Sequence, residues 1–193
     1  MLRRLYHRTI DLAAHKNALV ALAFVSFLES SIFPIPPDVI LIPMVLAARD
    51  RAWVIAGVCT VASVLGGMAG YVTGALIFDQ VGNPILDFYN YSSEFKVFQE
   101  MYNNWGAWAV FIAGITPFPY KVITILSGTT HLDFVVFSIS SLLARGLRFF
   151  IVAALLWQFG ASIKEFVERR LGFLFFFFVI LLGCGYLLAK FLF

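Results

Sequence analysis

Five charged side chains stand in stretches that are otherwise oily: Glu29, Asp38, Lys121, Arg145 and Arg148. A charge held alone at the centre of a helix in lipid costs about 2.5–3.5 kcal/mol. Such residues must pair, change protonation state or meet a charged substrate. Asp38 and Lys121 are of opposite sign and suit a salt bridge. An unpaired Glu29 in lipid would be neutral, because burial disfavours the charged form, and a neutral carboxyl suits a proton carrier. Arg145 and Arg148 lie three apart, on one face if their segment is helical. They are placed to pair with Glu29 and Asp38, or to bind phosphate, whose oxygens a guanidinium matches in shape. Structural pairing and substrate binding both remain open for this group.

The composition says what positions these charges. The 193 residues are 61% hydrophobic, 17% aromatic and only 13% charged, with a mean hydropathy of +0.90. Soluble domains carry roughly 25% charged residues, so the solvent of this chain is lipid. The net charge of +3 fits membrane topology better than nucleic acid. Cys59 and Cys184 are isolated in apolar runs, and His7, His15 and His131 form no cluster. No metal site, cofactor, nucleotide loop or nucleophile elbow is expected, and the chain does not read as an enzyme.

Residues 1–16 read as an amphipathic helix on the cytoplasmic surface, with Leu2, Leu5, Ile10 and Leu12 opposite Arg3, Arg4, Arg8 and Lys16. Residues 17–48 are apolar but broken by Pro34, Pro36 and Pro37. Residues 52–78 form a clean candidate span, since roughly 20 residues suffice to cross a bilayer. Residues 79–104 are polar and aromatic and read as a surface loop or lateral helix. Residues 105–131 are apolar again, broken by Pro117 and Pro119, and 134–160 could span despite Arg145 and Arg148. Residues 161–193 supply a charged connector and a last apolar span.

The broken segments are copies. With an offset of 83 residues, Ile32, Pro34, Pro36, Val39, Ile40 and Ile42 fall on Ile115, Pro117, Pro119, Val122, Ile123 and Ile125. The same offset lays 52–78 over the later span and Asp38 over Lys121. The repeats therefore cover about 17–78 and 105–160. Their flanks decide their orientation. Bases lie on both sides of the first broken segment (Arg3, Arg4, Arg8 and Lys16, then Arg49 and Arg51), whereas acids surround the second. Bases mark the cytoplasmic side. Symmetric flanks of opposite kind predict two re-entrant hairpins, turned by their prolines, the first entering from the cytoplasm and the second from outside. The fold class expected is an all-α polytopic membrane protein with two inverted-topology repeats, each a proline-broken hairpin plus a spanning helix, followed by a C-terminal helix. Transporters of this design bind at the repeat interface near mid-depth. Gly66, Gly70 and Gly74 line one face of the first span, as close helix packing in lipid requires, and Tyr71 beside them is expected to reach the site.

Glu29 with "IFPIPPD" (32–38), the glycine helix "GGMAGYVTG" (66–74) and "TPFPYK" (116–121) followed by "LSG" (126–128) resemble the DedA membrane-protein family, also called the SNARE-associated or VTT-domain family. The resemblance covers about residues 20–160 and is that of a short, divergent branch. It implies facing hairpins and translocation of lipid: bacterial members are linked to recycling of a polyprenyl-phosphate carrier, eukaryotic relatives to phospholipid scrambling, and some bacterial members to the proton-motive force. Its two acidic positions fall on Glu29 and Asp38. Where many members carry Arg in the second proline motif, this chain has Lys121 and no Arg between Ala52 and Arg145.

The reading is a translocase of an anionic phospholipid or polyprenyl-phosphate headgroup in the bacterial inner membrane, N-terminus cytoplasmic, with protons as a second partner. Lys121, Arg145 and Arg148 would hold the phosphate while Glu29 and Asp38 compete for them. The alternatives are a proton-driven exchanger of small solutes or ions, and a membrane scaffold that transports nothing.

Overall fold

The computed structural model describes residues 17–31, 36–116 and 118–160. The expected amphipathic helix at 1–16, the connector and last span at 161–193, and Pro34 and Pro117 lie outside the described residues. Among those described there is no strand.

The first repeat begins with α1 (Ala18–Ser31) and α2 (Asp38–Ala47). α2 starts directly after Pro37, whose φ of −65° is already helical and whose missing N–H costs nothing at a helix start. Pro43 lies inside α2 and leaves the Val39 carbonyl without a helical donor. A 3-10 turn at Arg49–Arg51 leads into α3 (Ala52–Ile77), the central helix, with α1 and the later helix Tyr120–Thr129 packed along it.

The second repeat has the same plan. α5 (Ser92–Ile115) ends at Thr116, and α6 (Tyr120–Thr129) starts after Pro119. The last described helix, α7, is Phe134–Gly160. It is started by Asp133, whose Oδ1 accepts the backbone N–H groups of Val135 and Val136, each at 2.9 Å, and so satisfies donors that have no partner within the helix. Shifted by 83 residues, α2 lies over α6 and α3 over α7, each to within a residue.

One expectation is corrected. Residues 79–104 are neither a loop nor a separate lateral helix. The helix runs on from α3 through a π turn (Phe78–Gly82) and α4 (Asn83–Tyr89). It stops at Asn90, which takes the left-handed conformation (φ 56°) that Asn tolerates at helix ends. α5 then passes unbroken from its polar start across Trp105 into the apolar segment. Polar residues do not end a helix; a breaker does, and 92–115 contains no proline.

The packing is that of a protein in lipid. α3 buries mainly small residues, among them Ala52, Ala56, Cys59, Ser63, Gly66, Gly67, Gly70 and Gly74, and turns Val54, Val61, Leu65, Val72 and Leu76 outward. α7 buries Arg145 and exposes Leu143 and Leu147. Contiguous exposed apolar surface of this extent needs an apolar environment. Among the described residues, two helical stretches, Arg49–Tyr89 and Phe134–Gly160, are long and apolar enough to cross a membrane.

α3 and α7 run antiparallel. Trp53 near the start of α3 stacks on Phe150 and meets Trp157, while Tyr71 near its end meets Phe134 and Phe137. Two apolar cores result. One joins α1 and α2 to Ile55 and Cys59 of α3 and to Phe149 and Leu156 of α7. The other joins Val110, Leu132 and Phe137, with Met68, Tyr71, Tyr102 and Ile123 packed against them. The repeats are thus inverted about a layer at mid-helix, and that layer is polar.

Candidate functional site

α1 ends in the layer between the cores with Glu29, Ser30 and Ser31, α3 supplies Ser63, and α7 supplies Ser141, Arg145 and Arg148 along one stripe. α2 and α6 begin there, with Asp38 and with Tyr120 and Lys121. The proline breaks are what bring two helix starts to this depth. A continuous helix would carry its first turn past it.

Arg145 is fully buried. Its Nη2 donates to Glu29 Oε2 at 2.8 Å and its Nε to Ser63 Oγ at 2.6 Å. Ser63 Oγ shares a hydrogen bond with Ser30 Oγ (2.7 Å), and Ser30 Oγ donates to the same Glu29 oxygen at 3.1 Å. The ring Glu29–Arg145–Ser63–Ser30 is closed. The guanidinium carbon sits 4.7 Å from the ring centres of both Tyr120 and Phe149. Stacking between aromatic faces suits the planar, weakly hydrated guanidinium and would not suit an ammonium. Its Nη1 is buried and makes no hydrogen bond.

One turn further along α7, Arg148 Nη2 donates to Asp38 Oδ2 at 2.7 Å, and its Nη1 donates to the Thr116 carbonyl at 3.3 Å. This pair is about one-fifth exposed, with side chains at 20% and 23%. Of the two pairings the sequence offers Asp38, with Lys121 across the tips or with an arginine of the last span, the structure shows the one with Arg148. Lys121 is partly buried at the start of α6. Glu29 is likewise not an unpaired acid, because its base arrives from α7, 116 residues away.

The two halves meet directly. Thr124 Oγ1 of α6 reaches to 3.4 Å from the Ser30 carbonyl at the end of α1, its one proton shared between that oxygen and the Lys121 carbonyl at 2.9 Å. Gly66 lies against the backbone of Phe27, Gly70 against Thr124 and Gly74 against the backbone of Ile125. The glycine face of α3 thus takes α1 on one part and α6 on another, so its bare backbone sets how closely the halves approach. Pro36 is exposed and Pro37 buried. Tyr71 does not reach the site; its hydroxyl donates to the Leu132 carbonyl in the turn before α7.

Ser30, Ser63, Tyr120 and Ser141 were not singled out by sequence reasoning. Hydroxyls in an apolar chain carry no spacing signal. The one usable clue was that Ser141 precedes Arg145 by one helical turn. Among the described residues, no group of three or more His, Cys, Asp or Glu is placed to hold a metal ion.

The VTT domain matches residues 35–158. The chain belongs to the VTT-domain, or DedA, family. Its family fellows include an uncharacterized protein of Haemophilus influenzae, 37% identical over 168 residues, which are 85% of this chain and 87% of the relative. The HI0703 homolog of Histophilus somni is 34% identical over the same shares. No solved structure matches the chain. The VTT match takes in Asp38, Lys121, Arg145 and Arg148, while Glu29 lies just before it.

Proposed function

We propose that this VTT-domain protein moves an anionic lipid headgroup, of a phospholipid or a polyprenyl phosphate, between the leaflets of the bacterial inner membrane, its N-terminus in the cytoplasm. The observation that carries the reading is Arg145: a guanidinium buried at mid-helix, held by one carboxylate and one hydroxyl, with a buried Nη1 left over. Arg148, one turn away and partly exposed, offers a second guanidinium. Lys121 at the start of α6 adds a third positive charge. Together they suit a phosphate.

In this reading Glu29 and Asp38 hold the bases while no substrate is bound. A phosphate displaces them, and protonation of the carboxylates lets the guanidinium groups turn to it. Deprotonation restores the ion pairs and expels the headgroup. No bond to the lipid is made or broken, so this is transport rather than enzyme chemistry, and it needs no cofactor. The lengths of three of the four broken arms support re-entrant hairpins; the fourth, α5, has 24 residues, of which only the part from Trp105 onward is apolar. α1 has 14 residues and α2 and α6 have 10 each, or about 21 and 15 Å of helix, against a hydrocarbon core of about 30 Å.

The test is flip in proteoliposomes, using labelled phospholipid and labelled polyprenyl phosphate, with and without a pH gradient, beside Asp38→Asn and Arg148→Ala. Flip of either lipid that both variants lose is the expected result. No flip from folded protein overturns the proposal. A pH-dependent flux of a water-soluble solute in its place would establish an exchanger, and function kept when Asp38 and Arg148 are neutralised together would establish a scaffold.

A further inference from the structure

Four buried polar atoms in the central layer have no hydrogen-bond partner: Nη1 of Arg145, the hydroxyls of Tyr120 and Ser141, and Oδ1 of Asp38, whose other oxygen is held by Arg148; the first three are the donors. The three donor residues are fully buried, at 0% exposure. An unsatisfied buried polar group costs about 1–3 kcal/mol, so three donors left over in one layer are not expected by accident.

They belong to one cluster. The Arg145 guanidinium lies over the Tyr120 ring at 4.7 Å. Ser141 precedes Arg145 by one turn on the same face of α7, and its hydroxyl lies beside that of Tyr120, the two meeting at most in a weak contact outside good hydrogen-bond geometry. Gly67 of α3 borders the cluster: a Cβ there would come within 3.2 Å of the Tyr120 oxygen, so the glycine leaves this hydroxyl its space. All three groups can donate, and the guanidinium can only donate. Three donors with one full positive charge favour an anionic oxygen over a cation or an apolar group.

We propose that Tyr120, Ser141 and Arg145 Nη1 form a buried subsite that takes one oxygen of an oxyanion, either a lipid phosphate or free phosphate. It rests on the transport reading above and adds Tyr120 and Ser141 as recognition residues behind the Glu29–Arg145 pair. The ion pair occupies Nη2, and the subsite uses the other arm, so an anion can engage Arg145 before Glu29 lets go.

The test is binding to the purified full chain in detergent, with inorganic phosphate and a short-chain phosphatidic acid as separate probes, for wild type, Tyr120→Phe and Ser141→Ala. Neither variant removes a hydrogen bond of good geometry in the unliganded protein, only the contact between the two hydroxyls, so both should melt close to the wild-type temperature. Both should bind weaker by about ten- to a hundred-fold, the loss of one hydrogen bond to a charged group. Weakening for both probes points to free phosphate as a ligand in its own right. Weakening for the phosphatidic acid alone, with no phosphate binding by wild type, points to the lipid headgroup. Wild-type affinity in both variants overturns the subsite, and so does a lowered melting temperature with unchanged binding, which would make the hydroxyls structural. Absence of lipid flip with intact, Tyr120-dependent phosphate binding would refute transport and leave the subsite standing.

Discussion

Arg145 Nη2 and Glu29 Oε2 stand 2.8 Å apart and join the end of α1 to the middle of α7, in a layer that neither apolar core fills. Their side chains are 1% and 16% exposed. Removing one partner leaves an uncompensated buried charge, which typically costs about 3–5 kcal/mol, whereas replacing both with apolar residues of similar volume is often near neutral. Arg145→Met alone should therefore unfold far more readily in detergent than wild type. Glu29→Leu combined with Arg145→Met should recover most of that loss. Thermal denaturation of the four proteins closes the double-mutant cycle. If the double variant also recovers lipid flip, the pair is structural and the phosphate role assigned to Arg145 fails.

The crossing of α3 and α6 rests on glycine at both helices. A Cβ on Gly128 would strike the Tyr71 carbonyl, and one on Gly74 the Ile125 carbonyl. Backbone cannot swing aside as a side chain can, so Gly128→Ala and Gly74→Ala must push the helices apart. Each should cost about 1–3 kcal/mol. Gly57 faces open space, with nothing within 4 Å of a Cβ, and Gly57→Ala should leave stability unchanged or slightly raised. Equal melting temperatures for all three would mean that the two helices do not pack this closely.

How much of this was legible in the sequence differs by feature. The repeat was visible because prolines at matching positions survive as identities, and the structure places α2 over α6 under the same offset. The charged residues stood out because lipid makes them costly. Their pairing was legible only as one of several alternatives: the sequence offers Glu29 and Asp38 as partners for Arg145 and Arg148, and the structure joins Arg145 to Glu29 and Arg148 to Asp38. The offset set Asp38 over Lys121, but equivalent positions in two repeats need not touch, and the base on Asp38 came from α7. The sequence leaves the polar stretch 79–104 open between loop and lateral helix, and it hides the continuity of 92–104 with the apolar segment, because hydropathy reports the solvent of a segment and not its backbone. Gly128 was quoted within a motif without its role, since one glycine shows no periodicity until its partner helix is known.

The Asp38–Arg148 pair differs from the buried one in its exposure and in what else it holds. Arg148 also donates to the Thr116 carbonyl at the second break, so it ties the start of α2 to the end of α5. Arg148→Lys keeps the charge but cannot make both contacts from a planar fork. It should fold like wild type and lose most of its lipid flip, whereas Arg148→Ala should lose all of it. Flip rates in proteoliposomes, scaled by reconstituted folded protein, distinguish these. Full activity in the lysine variant would show that a point charge suffices at this position.

His131 closes the turn between α6 and α7 in the left-handed conformation, φ 52°, which costs a non-glycine residue roughly 1–2 kcal/mol. Its Nε2 lies 3.2 Å from Asp79 Oδ1, and both side chains are about half exposed; pairs of that exposure contribute at most about 1 kcal/mol. The turn is held independently. Gln99 and Asn103 of α5 both donate to the Thr130 carbonyl, at 2.9 and 3.0 Å, and Tyr71 donates to that of Leu132. His131→Gly therefore trades a weak pair for relief of the backbone and should leave the melting temperature level or raise it. His131→Val loses the pair and keeps an unfavourable φ with a β-branched side chain, so it should be clearly less stable. If glycine destabilises as much as valine does, the tie to Asp79 and not the backbone governs this turn, and Asp79→Asn should then reproduce the loss.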